Sequence, residues 1–294
     1  MRQNMNNENQ FVVDLLMTLR EENFSPLGWW RFLARSWNMS RQTAHNHPPL
    51  QRSWRNVTGL IALLAVSVLV VCFVFEGGVN TLRILPGFLF CVVWQQSDLY
   101  WHLGLNRHTR TGTLLPTVGV ANVLTWLRAL GASFLLGRLI GGLSTPSWLA
   151  LSVFLYGVAT DILDGQAARR TDTQSKLGQI GDAEADFSLY LALTIILIQN
   201  AVLPSWLGLL MLLRFFIPLL FALGSYFIGT RPVRFGSTIW GKYAGLAQCL
   251  YFLILLAPAQ LSFITHYVNL PVLIATLILL FVAPVAQIMA NVRA

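Results

Sequence analysis

The feature that most narrows the fold is a succession of apolar runs, each long enough to cross a bilayer and separated by short polar or proline-containing loops. About 20 apolar residues cross the hydrocarbon core as a helix, and a crossing segment must satisfy its own backbone hydrogen bonds. Residues 57–75 make one clean run; 84–102 make a weaker one, interrupted by Gln95, Gln96 and Asp98. Six stronger runs follow, at 117–140, 147–160, 177–198, 203–229, 238–257 and 268–289. The pattern predicts an all-α integral membrane protein: six strong transmembrane helices preceded by an amphipathic N-terminal region and one or two further transmembrane helices. Composition agrees, because only 11% of residues are charged, roughly half the share of a soluble domain.

The first 55 residues differ in kind. Phe11, Val12, Leu15, Leu16 and Leu19 recur at helical spacing, and Trp30, Leu33 and Trp37 form a second stripe with Arg31 and Arg35 beside it. Such a helix suits the headgroup plane of a membrane. His45 and His47 lie in a proline-bounded linker, where a metal site is not expected. The chain therefore divides into an interfacial N-terminal region at 1–55, extra transmembrane helices at 56–110, and a core at 111–294. Met1 to Gln10 is polar, so no secretory signal is expected. Cys72, Cys91 and Cys249 lie inside apolar runs and read as small hydrophobes.

The net charge of +8 comes mostly from arginine, 18 of the 20 basic residues. Nucleic acid is not the expected partner, because Arg52, Arg55, Arg107, Arg110, Arg169, Arg170, Lys176, Arg231, Arg234 and Arg293 all fall at one end of the spans. The positive-inside bias makes that end cytoplasmic and anionic membrane lipid the expected neighbour. The setting expected is a bacterial inner membrane, crossed several times.

Acidic residues are sparse and clustered. Six of the 12 lie between Asp161 and Asp186; none occurs from Tyr100 to Thr160 or after Asp186. Acids within a membrane helix are costly and mark function. Asp161 and Asp164 are i, i+3; Asp182 and Asp186 are i, i+4; each pair shares a helix face. Neighbouring carboxylates resist ionising together, and a hard divalent cation, Mg²⁺ or Mn²⁺, is the ordinary remedy. Glu184 points about 200° from Asp182 at the helical phase and should stay out of this cluster. Asp172 reads as a solvated loop charge. Gly165, Ala168 and Gly178 would let a flat base or a diphosphate approach the backbone, or simply let helices pack closely.

Written together, Asp161-x2-Asp164-Gly165-x2-Ala168-Arg169-x8-Gly178-x3-Asp182-x3-Asp186 resembles the full signature of the CDP-alcohol phosphotransferase (phosphatidyltransferase) family, with every spacing intact. The resemblance implies a metal-dependent enzyme of phospholipid biosynthesis with a six-helix core. Asp161, Asp164, Asp182 and Asp186 would hold one or two divalent ions on the diphosphate of a CDP-linked lipid. Asp186 would be the general base toward the acceptor hydroxyl, and CMP would leave. Gly165, Ala168, Gly178 and Arg169 would border the nucleotide. Asn122-x2-Thr125-x2-Arg128 resembles the opening of the first core helix in many members, also beside the nucleotide. Homodimers are common in the family.

The acceptor is less sharply marked. Arg214 falls within a span, with Arg231, Arg234 and Lys242 nearby in sequence and no acid after Asp186 to pair with them. An acceptor phosphate would satisfy these cations, so glycerol 3-phosphate with CDP-diacylglycerol as donor is the first reading. Gly241-Lys242-x5-Gln248 is similar to a segment of phosphatidylglycerophosphate synthases, but Ala183 and Phe187 stand where those enzymes carry Pro and Lys. Other polyols or their phosphates, a phospholipid, or diacylglycerol with a soluble CDP-alcohol donor stay open as substrates. A proton-coupled transporter is the remote alternative; it needs acids strung along a route across the bilayer rather than gathered at one face.

Overall fold

A computed structural model describes residues 17–227 and 238–292. The described residues are helical throughout, apart from loops and two isolated β-bridges. The helices are α1 (Pro26–Asn46), α2 (Pro48–Trp101), α3 (Gly119–Ile140), α4 (Ser147–Arg170), α5 (Lys176–Gln199), α6 (Ser205–Phe227), α7 (Ile239–Leu256) and α8 (Ser262–Val292). Among them, five segments are long and apolar enough to cross a membrane: α2, α3, α4, α7 and residues 259–289. This is the all-α multi-pass membrane architecture the apolar runs predict. α5 is as long as α4 but carries Asp182, Glu184 and Asp186 inside it, which lowers its hydropathy.

The 54 residues of α2 are two legs, not one rod. Gly77 has φ 82 and ψ 165, which only glycine adopts easily, and the helix breaks there. Thr58 donates to Gln96 at 3.1 Å and the Trp54 ring meets Tyr100 at 4.8 Å, two pairs symmetric about Gly77. The legs therefore run antiparallel, each about 36–44 Å long at 1.5 Å per residue. Gln95 and Gln96, which interrupt the second apolar run, are buried in the protein; Gln95 donates to the Ala129 carbonyl of α3 at 3.1 Å. At the hairpin tip Glu76 pairs with Arg138, which also donates to the Ser144 carbonyl at 2.8 Å.

The chain divides into two compact units, residues 30–196 and residues 1–29 with 197–294. In the first, α2, α3, α4 and α5 pack around Phe88, Leu99, Trp126, Ala129, Phe154 and Leu193, all buried. Gly87 and Gly137 permit this: a Cβ on either would lie under 3.0 Å from Ile140 or Phe88. The starts of α3 and α5, the end of α4 and the open end of the hairpin lie at one end of this unit. Arg52, Arg55, Arg107, Arg110, Arg169, Arg170 and Lys176 fall at that end. In the second unit α8 packs against α7 and α6, and Thr276 donates to the Ala247 carbonyl at 3.2 Å.

Candidate active site

α4 is apolar only to Thr160 but stays helical to Arg170, which carries Asp161 and Asp164 on its last turns. α5 begins at Lys176, so Asp182 and Asp186 follow on its second and third turns. The loop between them is clamped from outside. Thr109 N–H donates to the Gln174 carbonyl at 2.8 Å, Lys176 N–H donates to Arg107, and His108 Nε2 stands 3.3 Å from Asp172. Asp172 is 70% exposed, as a solvated charge should be, yet it has this partner. With the loop held, both aspartate pairs face α3.

The guanidinium of Arg128, from α3, sits at their centre and is 1% exposed. Nη1 donates to Asp161 and Asp186, each at 2.6 Å; Nη2 donates to Asp164 at 3.0 Å and to Asp182. Four carboxylates against one guanidinium leave a formal charge of −3. The four acids are not equivalent. Asp161, Asp182 and Asp186 have side chains 50%, 45% and 33% exposed, whereas Asp164 is only 10% exposed and accepts a second bond from Thr125 at 3.0 Å. Carboxylate oxygens of Asp161, Asp182 and Asp186 lie within 4.8 Å of one another. Oxygens on opposite sides of an ion held at about 2.1–2.5 Å are separated by roughly 4–5 Å, so the open triad fits one divalent cation. Asp164, the fourth expected metal ligand, lies deeper than that triad, where it accepts from Arg128 and Thr125.

The residues assigned to the nucleotide divide in two. Asn122, Thr125, Arg128 and Gly178 bind protein: Asn122 donates to the Val118 carbonyl at 2.6 Å, and a Cβ on Gly178 would lie 2.7 Å from Asn122 Oδ1. Gly178 therefore lets the start of α5 close onto α3. Gly178→Ala should lower the thermal midpoint by roughly 3–8 °C, the effect of about 1–2 kcal/mol of overpacking, and should cut turnover by shifting Asp182. A melting curve and a rate at saturating substrate test this; an unchanged midpoint would overturn the packing role. Gly165, Ala168 and Arg169 stay at the open face, with Arg169 folded across Gly165, whose Cβ would meet its Nη1 at 3.1 Å.

Glu184 does face away from Asp182, as the helical phase requires, but it is not idle. Its carboxyl lies close to Asp98 of α2, which stands 3.1 Å from His102 Nδ1. Glu184 stays out of the aspartate cluster, as its phase predicts, and is placed against the hairpin. Glu184→Ala should lower the thermal midpoint by about 2–4 °C, the effect of losing about 1 kcal/mol of polar contact, while changing turnover less than about twofold. A loss of rate as large as that of an Asp182 variant would mean α5 turns when the contact breaks.

The acceptor candidates lie in the other unit or beyond description. Arg214, on α6, stands over the Phe215 ring at 4.5 Å and next to Gly245 of α7, where a Cβ would meet its Nη1 at 3.5 Å. Lys242 is exposed on the first turn of α7, whose start is capped by Thr238 accepting from Gly241 N–H. Arg231 and Arg234 lie outside the described residues. The role of Arg128 as counter-ion was missed by sequence reasoning. A signal existed: an arginine inside a span, in a stretch from Tyr100 to Thr160 that has no acid of its own.

Comparison with known proteins follows this geometry. Over 100 residues the chain is 36% identical to a protein of Streptomyces coelicolor named cardiolipin synthase (CMP-forming), an overlap of 32% of this chain. The chain spans 46% of that relative's length. No solved structure matches. Residues 118–282, more than half of the chain and all of the aspartate site, match the family described as CDP-alcohol phosphatidyltransferase, and the chain belongs to that family.

Proposed function

We propose that the chain transfers a phosphatidyl group from a CDP-linked lipid, CDP-diacylglycerol, to an alcohol and releases CMP. The observation that carries this reading is the open triad of Asp161, Asp182 and Asp186 over a buried Arg128, in a chain of this family. The acceptor hydroxyl attacks the phosphorus distal to cytidine. Its proton passes to Asp186, the P–O bond to CMP breaks, and CMP leaves with the electron pair. Asp161, Asp182 and Asp186 would hold the divalent ion, Mg²⁺ or Mn²⁺. When bound, that ion neutralises the diphosphate and the charge that develops on the leaving oxygen. Arg128 keeps the carboxylates converged and ionised before substrate arrives, and Asp164 and Thr125 fix the plane of its guanidinium. Gly165, Ala168 and Arg169 border the path by which cytidine and phosphate approach. The arginine-rich end supports a site facing the cytoplasm of a bacterial inner membrane.

The acceptor is a glycerol phosphate ester, either free or as a phospholipid headgroup. Arg214 and Lys242 favour a phosphate. The name of the Streptomyces relative favours a lipid bearing it, as does Phe187 in place of a lysine. The test incubates the purified chain with CDP-diacylglycerol, Mg²⁺ and, in separate arms, glycerol 3-phosphate, phosphatidylglycerol, inositol phosphate and glycerol, with mass spectrometry of lipid and CMP. Phosphatidylglycerophosphate as product selects the free ester, and cardiolipin selects the lipid. No CMP in any arm overturns the transfer reading.

A further inference from the structure

We propose that α1 is a docking helix for anionic lipid: Leu27, Trp30 and Leu33 seat in the leaflet at the arginine-rich end, and Arg31, Arg35 and Arg41 contact lipid phosphates. Three observations converge. The 21 residues of α1 contain no acid and three arginines, all exposed. Leu27, Trp30 and Leu33 are 57%, 70% and 40% exposed, and with Trp37 they fall in a sector of about 120° on the helix. A stripe so apolar, with Arg31 and Arg35 beyond one edge and Arg41 farther along the helix, matches a negatively charged bilayer surface, where Trp and Arg together are at home.

The third observation is the direction of the helix. The Trp54–Tyr100 pair sets the start of the first hairpin leg level with the end of the second. α1 joins the first leg at His47. It touches the second through Ser36, which accepts from Trp101 Nε1 at 2.8 Å, through Ser40 on the Trp101 carbonyl, and through Trp37, whose ring meets Tyr100 at 5.3 Å and Trp101 at 5.6 Å. A helix anchored at both leg ends runs across them, along the membrane surface rather than into it. Arg52 and Arg55, exposed on the first two turns of the first leg, place that level among the headgroups. Residues 30–35 then lie past the second leg at headgroup depth. The inference is independent of the proposed reaction, since nothing in it uses the aspartates.

The test uses the intact chain in nanodiscs, with hydrogen exchange as the readout. Peptides within 26–46 should exchange at least about tenfold more slowly when roughly 30% phosphatidylglycerol is added to phosphatidylcholine. Peptides from the hairpin legs should not change. In R31Q/R35Q/R41Q the lipid effect should vanish while the legs stay protected. Equal exchange of 26–46 in both lipids, or a triple variant that behaves like the parent, overturns the proposal. A nitroxide at Trp30→Cys, with Cys72, Cys91 and Cys249 replaced by Ala, gives a second measure. Faster collision with oxygen than with an aqueous nickel chelate supports burial in the leaflet. An aqueous label in both lipids overturns it and leaves the stripe to a soluble protein partner.

Discussion

Arg128→Met is expected to reduce turnover by roughly 10³-fold and, without divalent ion, to lower the thermal midpoint by roughly 6–12 °C. Four carboxylates converge on this one buried cation. Removing one partner of a buried ionic cluster typically costs about 3–5 kcal/mol, and solvent at Asp161 and Asp182 brings this toward the lower figure. At that value a chain of this size shifts by the stated interval. Millimolar Mg²⁺ should recover much of the stability but not the rate, because the ion offsets repulsion without restoring the bonds that aim Asp161 and Asp186. Arg128→Lys should fall between, keeping the charge but losing the planar fork that reaches four acids at once. Melting curves with chelator and with Mg²⁺, beside single-turnover rates, decide the matter. A stable, active Arg128→Met protein would mean the guanidinium is incidental.

The second large effect separates the aspartates by role. Asp161→Asn and Asp182→Asn should each weaken Mn²⁺ binding by roughly 10–100-fold, the worth of one charge-assisted contact, and turnover should fall by about 10³-fold or more. Chelator should abolish parent activity, and Mg²⁺ or Mn²⁺ should restore it. Asp164→Asn should behave differently. Its carboxylate is committed to Thr125 and Arg128 beneath the open triad, so Mn²⁺ affinity should change less than about threefold while the midpoint falls. Manganese titration followed by magnetic resonance reads affinity without requiring turnover. If Asp164→Asn abolishes Mn²⁺ binding as completely as Asp182→Asn, the four acids form one ligand set and the division drawn from exposure is wrong.

The sequence by itself determined the class of fold. Runs of apolar residues near bilayer length leave helices as the means of crossing, and a motif with eight fixed positions in 26 residues carries the family. It also determined which faces the acids take, because 100° per residue puts Asp161 with Asp164 and Asp182 with Asp186 whatever surrounds them. Helical phase says where a side chain points and nothing about what waits there. Glu184 turned away from the site and met Asp98, and Arg128, grouped with the nucleotide, turned toward the acids and became their counter-ion. Gln95 and Gln96 made the second run look incomplete by hydropathy, yet packing against α3 and the first leg buries them. Tertiary structure alone decided these points, because each depends on a partner 30 or more residues distant in sequence. Three carboxylates lie open above a fourth because α3, α4 and α5 converge around Arg128, with Gly178 letting the start of α5 approach Asn122 of α3 closely.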